Sequence, residues 1–274
     1  MNINADTKII PIFGDPINHS LSPLIQNTWL KDKKINYVYV AFCVKNKDLK
    51  QATDAIRLFG MPGANITVPH KIEIMKYIDK IDKSAQIIGS VNTIVNKDGK
   101  LTGYNTDWLG FSQDLKDKNI SLKNKNICVV GAGGGSKAIL YALSKLKVKK
   151  ILLTSKNYFD TPENISKQYK NIEILDLDKM SNVLFDKIDC IVNASTCGMD
   201  IKDKLPFDIK NHKKNLIIYD LIYNKNTPFK QFAAKNKLKY VSGIGMLVQQ
   251  GASGFQMWTG KKPNIKQATE LVKK

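Results

Sequence analysis

The sequence predicts an α/β protein of two units, and three observations carry that prediction. Short β-rich apolar runs alternate with amphipathic stretches of helical length along the chain. The pair Asp98-Gly99 separates two strand-like runs and marks an antiparallel hairpin in the first hundred residues. Farther on, Gly131-Ala132-Gly133-Gly134-Gly135 follows an apolar strand and opens a helix. The first unit is therefore mixed α/β. The second alternates strands with helices and reads as a parallel, doubly wound sheet.

The elements follow in order. Lys8–Phe13 is β-rich and ends at Gly14. Ser22 to about Lys33 has helical character, with Ser22 as N-cap and Pro23 in the first helical position. Tyr37–Phe42 is a β-branched and aromatic strand, and Asn46 to about Leu58 is a helix closed by Gly60. Ala64–Val68 is a short strand, after which Pro69 opens a helix carrying Lys71. Val91–Asn96 and Lys100–Tyr104 form the hairpin. A second unit starts near Lys125, with strands at Asn126–Val130, Lys150–Thr154, Ile188–Asn193, Leu216–Tyr219 and Lys239–Val241. A helix through about Leu146 follows the glycine loop. The last helices, Met246–Trp258 and about Ile265–Lys273, follow Gly243 and Gly245 and can pack on either unit.

At 274 residues and 43% hydrophobic, the chain can bury one large core or two modest ones. No apolar run is long enough to span a bilayer. The N-terminus, Met1-Asn2-Ile3-Asn4-Ala5-Asp6, lacks the basic and apolar regions of a signal peptide. Cys43, Cys128, Cys190 and Cys197 are widely spaced with no metal-ligand pattern, so buried thiols in a reducing cytoplasm are expected. The net charge of +19 raises the possibility of a nucleic-acid partner. The pattern argues against it, because lysine is spread throughout and Arg57 is the sole arginine. A solvated lysine surface is expected, with some steering of anionic ligands.

The glycine loop sits in the strand–turn–helix context of a dinucleotide fingerprint. Gly131 allows the tight turn, Gly133 lets backbone approach a pyrophosphate, and the helix N-terminus meets its charge. Ser136 stands where a third glycine or alanine is usual. The next strand ends Leu153-Thr154-Ser155-Lys156-Asn157, with no acid to take ribose hydroxyls before Asp160. Lys156 can pair with a 2′-phosphate, and the hydroxyls of Thr154 and Ser155 can donate to it, which favours NADP over NAD.

Two polar runs end apolar stretches: Asn65-Ile66-Thr67-Val68-Pro69-His70-Lys71 and Asn105-Thr106-Asp107. Brought together, Lys71 and Asp107 make an acid–base pair in a polyol-sized pocket. Ser20 and Ser22 are two residues apart at a helix start, so their hydroxyls can converge on one anion. His19 reads as a structural turn residue.

With these residues in place, the chain resembles the shikimate dehydrogenase family. Gly14 to Asn27 is similar to the family's GxPIxHSxSPxxxN signature, and Gly63–Lys71 to its GxNVTxPxK segment. Val91-Asn92-Thr93 and Gly103–Gly110 match its VNT and GxNTDxxG blocks. Asn193–Met199 is similar to NATSxGM with Thr and Ser exchanged. Asp220-Leu221-Ile222-Tyr223 and Thr227-Pro228-Phe229 match DxxYxPxxTPxL, with Lys225 in place of proline. Gly243–Gln250 matches GxGMLxxQ, followed by Phe255 and Trp258-Thr259-Gly260.

The resemblance implies a substrate domain over 1–106, an NADP-binding Rossmann-type domain over 107–245, and C-terminal helices over 246–274 that return to the substrate domain. It implies reversible, NADPH-dependent reduction of 3-dehydroshikimate to shikimate in aromatic amino acid biosynthesis. By position, Lys71 and Asp107 are the catalytic pair. Ser20, Ser22 and Tyr223 hold the substrate carboxylate, and Asn65, Thr67, Asn92 and Gln250 place the ring oxygens. Gly131, Ala132, Gly133, Gly134, Gly135, Thr154, Ser155, Lys156, Ala194, Leu221 and Gly243 hold the cofactor. The expected protein is a cytoplasmic monomer or homodimer acting on small molecules, with no nucleic-acid, membrane or metal partner. A quinate/shikimate dehydrogenase using NAD(P) and a non-catalytic Rossmann-like binding module are the alternatives.

Overall fold

The computed structural model describes residues 3–158, 160–223 and 226–273; Lys225, the departure from the family pattern, lies outside them. The chain divides into two compact units. One runs through Gln113 and resumes at Gly245, and the other is Asp114–Ile244. The first division therefore falls beyond the boundary expected at 106.

In the first unit, β1 (Lys8–Gly14) is followed by α1 (Ser22–Asp32), β2 (Tyr37–Cys43) and α2 (Leu49–Leu58). Then come β3 (Gly63–Ile66), β4 (Lys80–Ile81), α3 (Lys83–Ile88), β5 (Thr93–Lys97) and β6 (Lys100–Tyr104). The sheet order is β2-β1-β3-β5-β6-β4. β1 pairs parallel with β2 and β3, whereas β5 runs antiparallel to both β3 and β6. The hairpin turn is as expected: Asp98 (φ 53°) and Gly99 (φ 81°) both adopt the left-handed conformation of a type I′ turn. Phe13, Ile56, Ala64, Ile66, Ile74, Val91, Ile94 and Leu101 pack into one core beneath this sheet.

Three local expectations are corrected. Ser22 is the first helical residue of α1 rather than its cap, because Leu21 already has helical dihedrals; Ser20 Oγ instead accepts from the Ser22 N–H at 3.3 Å. Lys71 lies in a turn, not a helix. Its carbonyl accepts from the Val91 N–H at 2.8 Å, which takes the acceptor a continuing helix would need. Cys43 is exposed at the end of edge strand β2, while Cys128 and Cys190 are buried as expected and Cys197 is half-buried.

α4 (Asp107–Asp117) leads out of the first sheet. The second unit contains β7 (Asn126–Val130), α5 (Gly134–Lys145), β8 (Lys150–Thr154), α6 (Pro162–Gln168) and β9 (Ile172–Ile174). It continues with β10 (Cys190–Asn193), β11 (Ile217–Asp220), α7 (Pro228–Lys235) and β12 (Lys239–Ser242). All six strands pair parallel in the order β9-β8-β7-β10-β11-β12. This is the doubly wound Rossmann order, which reverses direction between β7 and β10. Short apolar strands buried on both faces give the near-continuous hydrophobic runs seen in the sequence.

α8 (Ile244–Thr259) and α9 (Ile265–Lys273) close the chain. The pattern of apolar residues left their partner open and the family resemblance implied the substrate domain; they lie in the first unit, held there by side-chain contacts. Gln26 Nε2 donates to Gly251 O at 3.0 Å, Trp29 Nε1 to Asn264 O at 2.8 Å, and Trp258 Nε1 to Ile94 O at 2.9 Å. Trp29 and Phe255, both fully buried, meet edge to face at 5.7 Å. Each such side chain contributes about 1.5–3 kcal/mol by leaving water. Among the described residues no helix is long and apolar enough to cross a membrane.

α4 crosses α8 at closest approach where Gly110 lies. A Cβ there would stand 2.6 Å from Met246 O and 2.8 Å from Gln250 N. Backbone cannot yield as a flexible side chain can, so Gly110→Ala is expected to cost about 1–3 kcal/mol. Thermal denaturation checks this as a lowered Tm relative to wild type.

Candidate active site

The site in the first unit is organised by backbone groups that fix which way each amide points. Thr106 N–H donates to Asn92 Oδ1 at 2.7 Å, so the Asn92 nitrogen must face the other way. That nitrogen lies 2.9 Å from Asp107 Oδ1, 3.0 Å from Thr106 Oγ1 and 3.2 Å from Gln250 Oε1. Gln250 is oriented in turn by Nε2, which donates to Leu247 O at 2.9 Å. Asn105 Oδ1 accepts the Asp107 N–H at 3.1 Å and its nitrogen donates to Ser90 O and Oγ.

Asp107 therefore has both carboxylate oxygens engaged. Oδ1 takes the Asn92 amide and Oδ2 takes Lys71 Nζ at 2.7 Å. The ion pair is largely enclosed, with side-chain exposures of 15% for Lys71 and 8% for Asp107. An exposed pair of this kind is worth little, but at this burial removing one partner strands the other charge. The lysine segment is anchored next door by His70, which is fully buried. Its Nε2 lies 2.7 Å from Val44 O and must carry the proton, since a carbonyl only accepts.

Asn65 joins the same network from β3. Its nitrogen donates to Asn92 O at 2.9 Å and Thr93 Oγ1 at 3.1 Å, and its Oδ1 lies 2.6 Å from the Tyr39 hydroxyl. Thr93 Oγ1 continues to Asn92 Oδ1 and Thr106 Oγ1. Thr67 is half-buried and pinned by its N–H on Phe13 O at 2.9 Å. Ser20 and the buried Ser22 adjoin at the start of α1. His19, to which the sequence assigned no chemistry, is exposed. Lys71, Asp107, Asn65, Asn92 and Gln250 are thus linked by hydrogen bonds within one unit. Tyr39, Thr93 and Thr106 belong to this network and were not singled out as site residues. Thr93 and Thr106 carried a signal in the VNT and NTD blocks, whereas Tyr39 sits in an ordinary-looking strand.

The dinucleotide candidates gather at the strand ends of the second unit. Gly131 (φ 102°) approaches the β10 loop so closely that a Cβ would lie 2.7 Å from Ser195 N. Its N–H donates to Thr154 O at 2.7 Å. Ser136 Oγ donates to Ala194 O at 3.3 Å, so the departure from glycine supplies a bond between helix and loop. At Gly133 a Cβ would meet nothing, and at Gly135 only the Leu221 side chain at 3.7 Å. Gly133 caps α5 without a side chain, leaving the first-turn N–H groups of Gly134 and Gly135 to face an open cradle. Gly243 lies against Leu221, where a Cβ would be 2.3 Å from the carbonyl oxygen. This concavity, lined by N–H groups, fits a dinucleotide pyrophosphate.

At the end of β8, Thr154 is fully buried and Ser155 Oγ donates to Asn157 O at 2.7 Å. Of these three candidates only Lys156 is exposed. Tyr223 belongs to the second unit, just beyond β11, and is half-buried. Its turn is held by the fully buried Asp220, which has no paired cation among the described residues and accepts from Thr227 Oγ1 (2.6 Å), Asn193 Nδ2 (2.8 Å) and Ile222 N (3.1 Å). Burial pushes its carboxyl above the usual range, and these donors oppose the shift. Asp220 was legible only as a motif letter. Its carboxylate joins the Ala194 loop to the Leu221–Tyr223 turn. Among the described residues no group of three or more His, Cys, Asp or Glu could hold a metal ion.

Comparison with known proteins matches this geometry to a family. A model for the shikimate dehydrogenase substrate binding domain matches residues 12–94, and one for the shikimate 5′-dehydrogenase C-terminal domain matches 243–273. A shikimate dehydrogenase (NADP(+)) from Methanocaldococcus jannaschii is 41% identical over 96% of this chain and 95% of its own length. The crystal structure of shikimate dehydrogenase from Aquifex aeolicus superposes with a TM-score of 0.91 at 33% identity, covering 100% of both chains. A shikimate dehydrogenase solved in complex with NADP+ gives 0.89 at 38% identity, covering 99% of this chain and 96% of its own. Identity of that order across nearly the whole length, on the same two sheets, makes this chain a member of the shikimate dehydrogenase family.

Proposed function

We propose that this protein catalyses the reversible, NADPH-dependent reduction of 3-dehydroshikimate to shikimate. The observation that carries this reading is the enclosed Lys71–Asp107 pair at 2.7 Å, set among the oriented amides of Asn92 and Gln250. Family membership, relatives named for NADP(+), and a neighbour solved with NADP+ support the cofactor and the substrate class.

When bound, NADPH supplies the hydride. Reduction of a ketone builds negative charge on its oxygen, and a positioned donor must stabilise that charge and deliver a proton. The Lys71 ammonium has three hydrogens, of which Asp107 Oδ2 takes one. The others are free to point at a substrate oxygen. Asp107 holds the lysine in place and can itself accept from a ring hydroxyl. Asn92 keeps the carboxylate from rotating by holding Oδ1.

Ser20 and Ser22 bind the substrate carboxylate from α1, with Tyr223 as a third donor. Neutral hydroxyls on fixed backbone select the anion by shape more than an arginine would. Thr67 and Gln250 address the ring oxygens, as does Asn65, while Asn92 acts through Asp107 and Gln250. In the second unit, Gly131 to Gly135 with Ala194, Leu221 and Gly243 cradle the dinucleotide. Lys156 meets the 2′-phosphate; the enclosure of Thr154 and the Ser155–Asn157 bond leave it as the main discriminator there. The proposed setting is the cytoplasm, on small-molecule substrates.

A steady-state assay of NADP+ reduction with shikimate tests the reading, and absence of turnover would sink it. In the same assay Lys71→Ala and Asp107→Ala are each expected to lower kcat by about 10²–10⁴-fold, the usual worth of a positioned proton donor and its partner. Retained kcat in both would remove the pair from the chemistry. Lys156→Ala is expected to raise KM for NADP+ about tenfold, from loss of one charge-assisted contact, and to leave KM for NAD+ unchanged. Equal changes for both cofactors would place the 2′-phosphate elsewhere.

A further inference from the structure

Asn65 is a site residue with almost no hydrogen-bonding capacity left. Asn92 O is a carbonyl and can only accept, so the atom 2.9 Å from it is the Asn65 nitrogen. The second amide hydrogen goes to Thr93 Oγ1 at 3.1 Å. Asn65 Oδ1 must then receive the Tyr39 hydroxyl proton across 2.6 Å. One lone pair on Oδ1 is the only valence remaining.

We propose that Tyr39 is a positioning residue: with both Asn65 N–H groups already spent on Asn92 O and Thr93 Oγ1, its hydroxyl takes one lone pair of Oδ1 and leaves the other to read a substrate hydroxyl that does not react. This rests on the reading of Asn65 as a substrate contact. The oxygen at the reacting carbon alternates between hydroxyl and carbonyl. A group that can only accept matches the first and repels the second, so it would favour one side of the equilibrium. A ring hydroxyl that stays a hydroxyl in both substrate and product suits such a group in either direction.

Tyr39 is built for this task. It is 2% exposed, and burial pushes its phenol well above the usual range, so the hydroxyl always has its proton to give. Its backbone is clamped by Asn27, whose Nδ2 donates to Tyr39 O at 2.8 Å and whose Oδ1 accepts from Tyr39 N at 2.9 Å. Asn27 closes the first signature of the sequence, and this double bond to β2 gives it a purpose. The Tyr39 ring lies 6.2 Å from the Trp258 ring, which is itself held by Ile94 O. Removing the hydroxyl leaves this packing in place, and the Asn65 nitrogen stays on Asn92 O and Thr93 Oγ1, but Oδ1 loses the donor that sets the direction of its remaining lone pair.

The test is kinetic, on the whole enzyme, with shikimate and its 4-deoxy and 5-deoxy analogues. Tyr39→Phe is expected to raise KM for shikimate about tenfold while kcat and KM for NADP+ stay within about twofold, since the hydroxyl's contacts to Asn65 and to Ser22 are on the substrate-binding side; loss through Ser22 alone would raise KM equally for shikimate and both analogues. For the analogue lacking the hydroxyl that Asn65 reads, the substitution should make no further difference. If Tyr39→Phe fails to fold, the wild type carries the test: 4-fluoro and 5-fluoro analogues can accept but not donate, so the one altered at the hydroxyl that Asn65 reads should show a KM raised as much as its deoxy counterpart, and a KM equal to that of shikimate for both fluoro analogues overturns the proposal. An unchanged KM for shikimate, or an equal rise for shikimate and both analogues, overturns the proposal. Absence of shikimate turnover by the wild type would overturn the functional reading and this inference with it, and is seen before any variant is made.

Discussion

A single backbone hydrogen bond, from Thr106 N–H to Asn92 Oδ1, fixes the polarity of the substrate-side network. An amide can present either end, and its orientation is settled only by a partner whose role cannot change. A backbone N–H can only donate. Once it takes Asn92 Oδ1, the nitrogen must meet the Asp107 carboxylate, and the remaining carboxylate oxygen is left to Lys71. The same logic runs from Asn92 O through Asn65 to Tyr39. A charged pair can be kept this enclosed because both carboxylate oxygens and the amides of Asn92 and Asn65 have partners of the correct sign.

The two units use buried charge differently. In the first, a carboxylate is paired with an ammonium whose other hydrogens remain available. In the second, Asp220 is buried and accepts from hydroxyl, amide and backbone donors, with no cation paired to it among the described residues. The first arrangement suits the proposed proton donor. The second is a brace, since its donors come from three separate segments that flank the glycine loop.

Much of the architecture could be read in advance because its causes are local. The Asp98-Gly99 turn needs two positive φ angles, and those residues tolerate them. The glycine loop needs close backbone approach at Gly131, where any side chain would strike Ser195. Errors arose where a long-range bond outcompeted a local preference. Pro69 and the residues after it have a helical start signal, yet Val91 N–H captures the Lys71 carbonyl and the helix does not form. Ser22 follows the rule for a cap, but Leu21 takes the cap position and Ser22 becomes the first helical residue. Cys43 lies in an apolar run, but that run becomes an edge strand whose end meets solvent.

The sequence by itself determined the order of elements, the two sheet types and the chemical kinds at the site. Those follow from periodicity, turn chemistry and short polar motifs, all of which act over a few residues. The tertiary structure decided which side chains fasten α8 and α9 to the first unit, since Gln26, Trp29 and Ile94 are far from their partners along the chain. It also decided that Tyr39, an unremarkable strand residue, donates to Asn65 Oδ1, that Thr154 is fully buried, and that Ser155 Oγ bonds the Asn157 carbonyl. Hydrogen-bond direction depends on which acceptors and donors finally stand opposite one another, and only the folded chain brings them face to face.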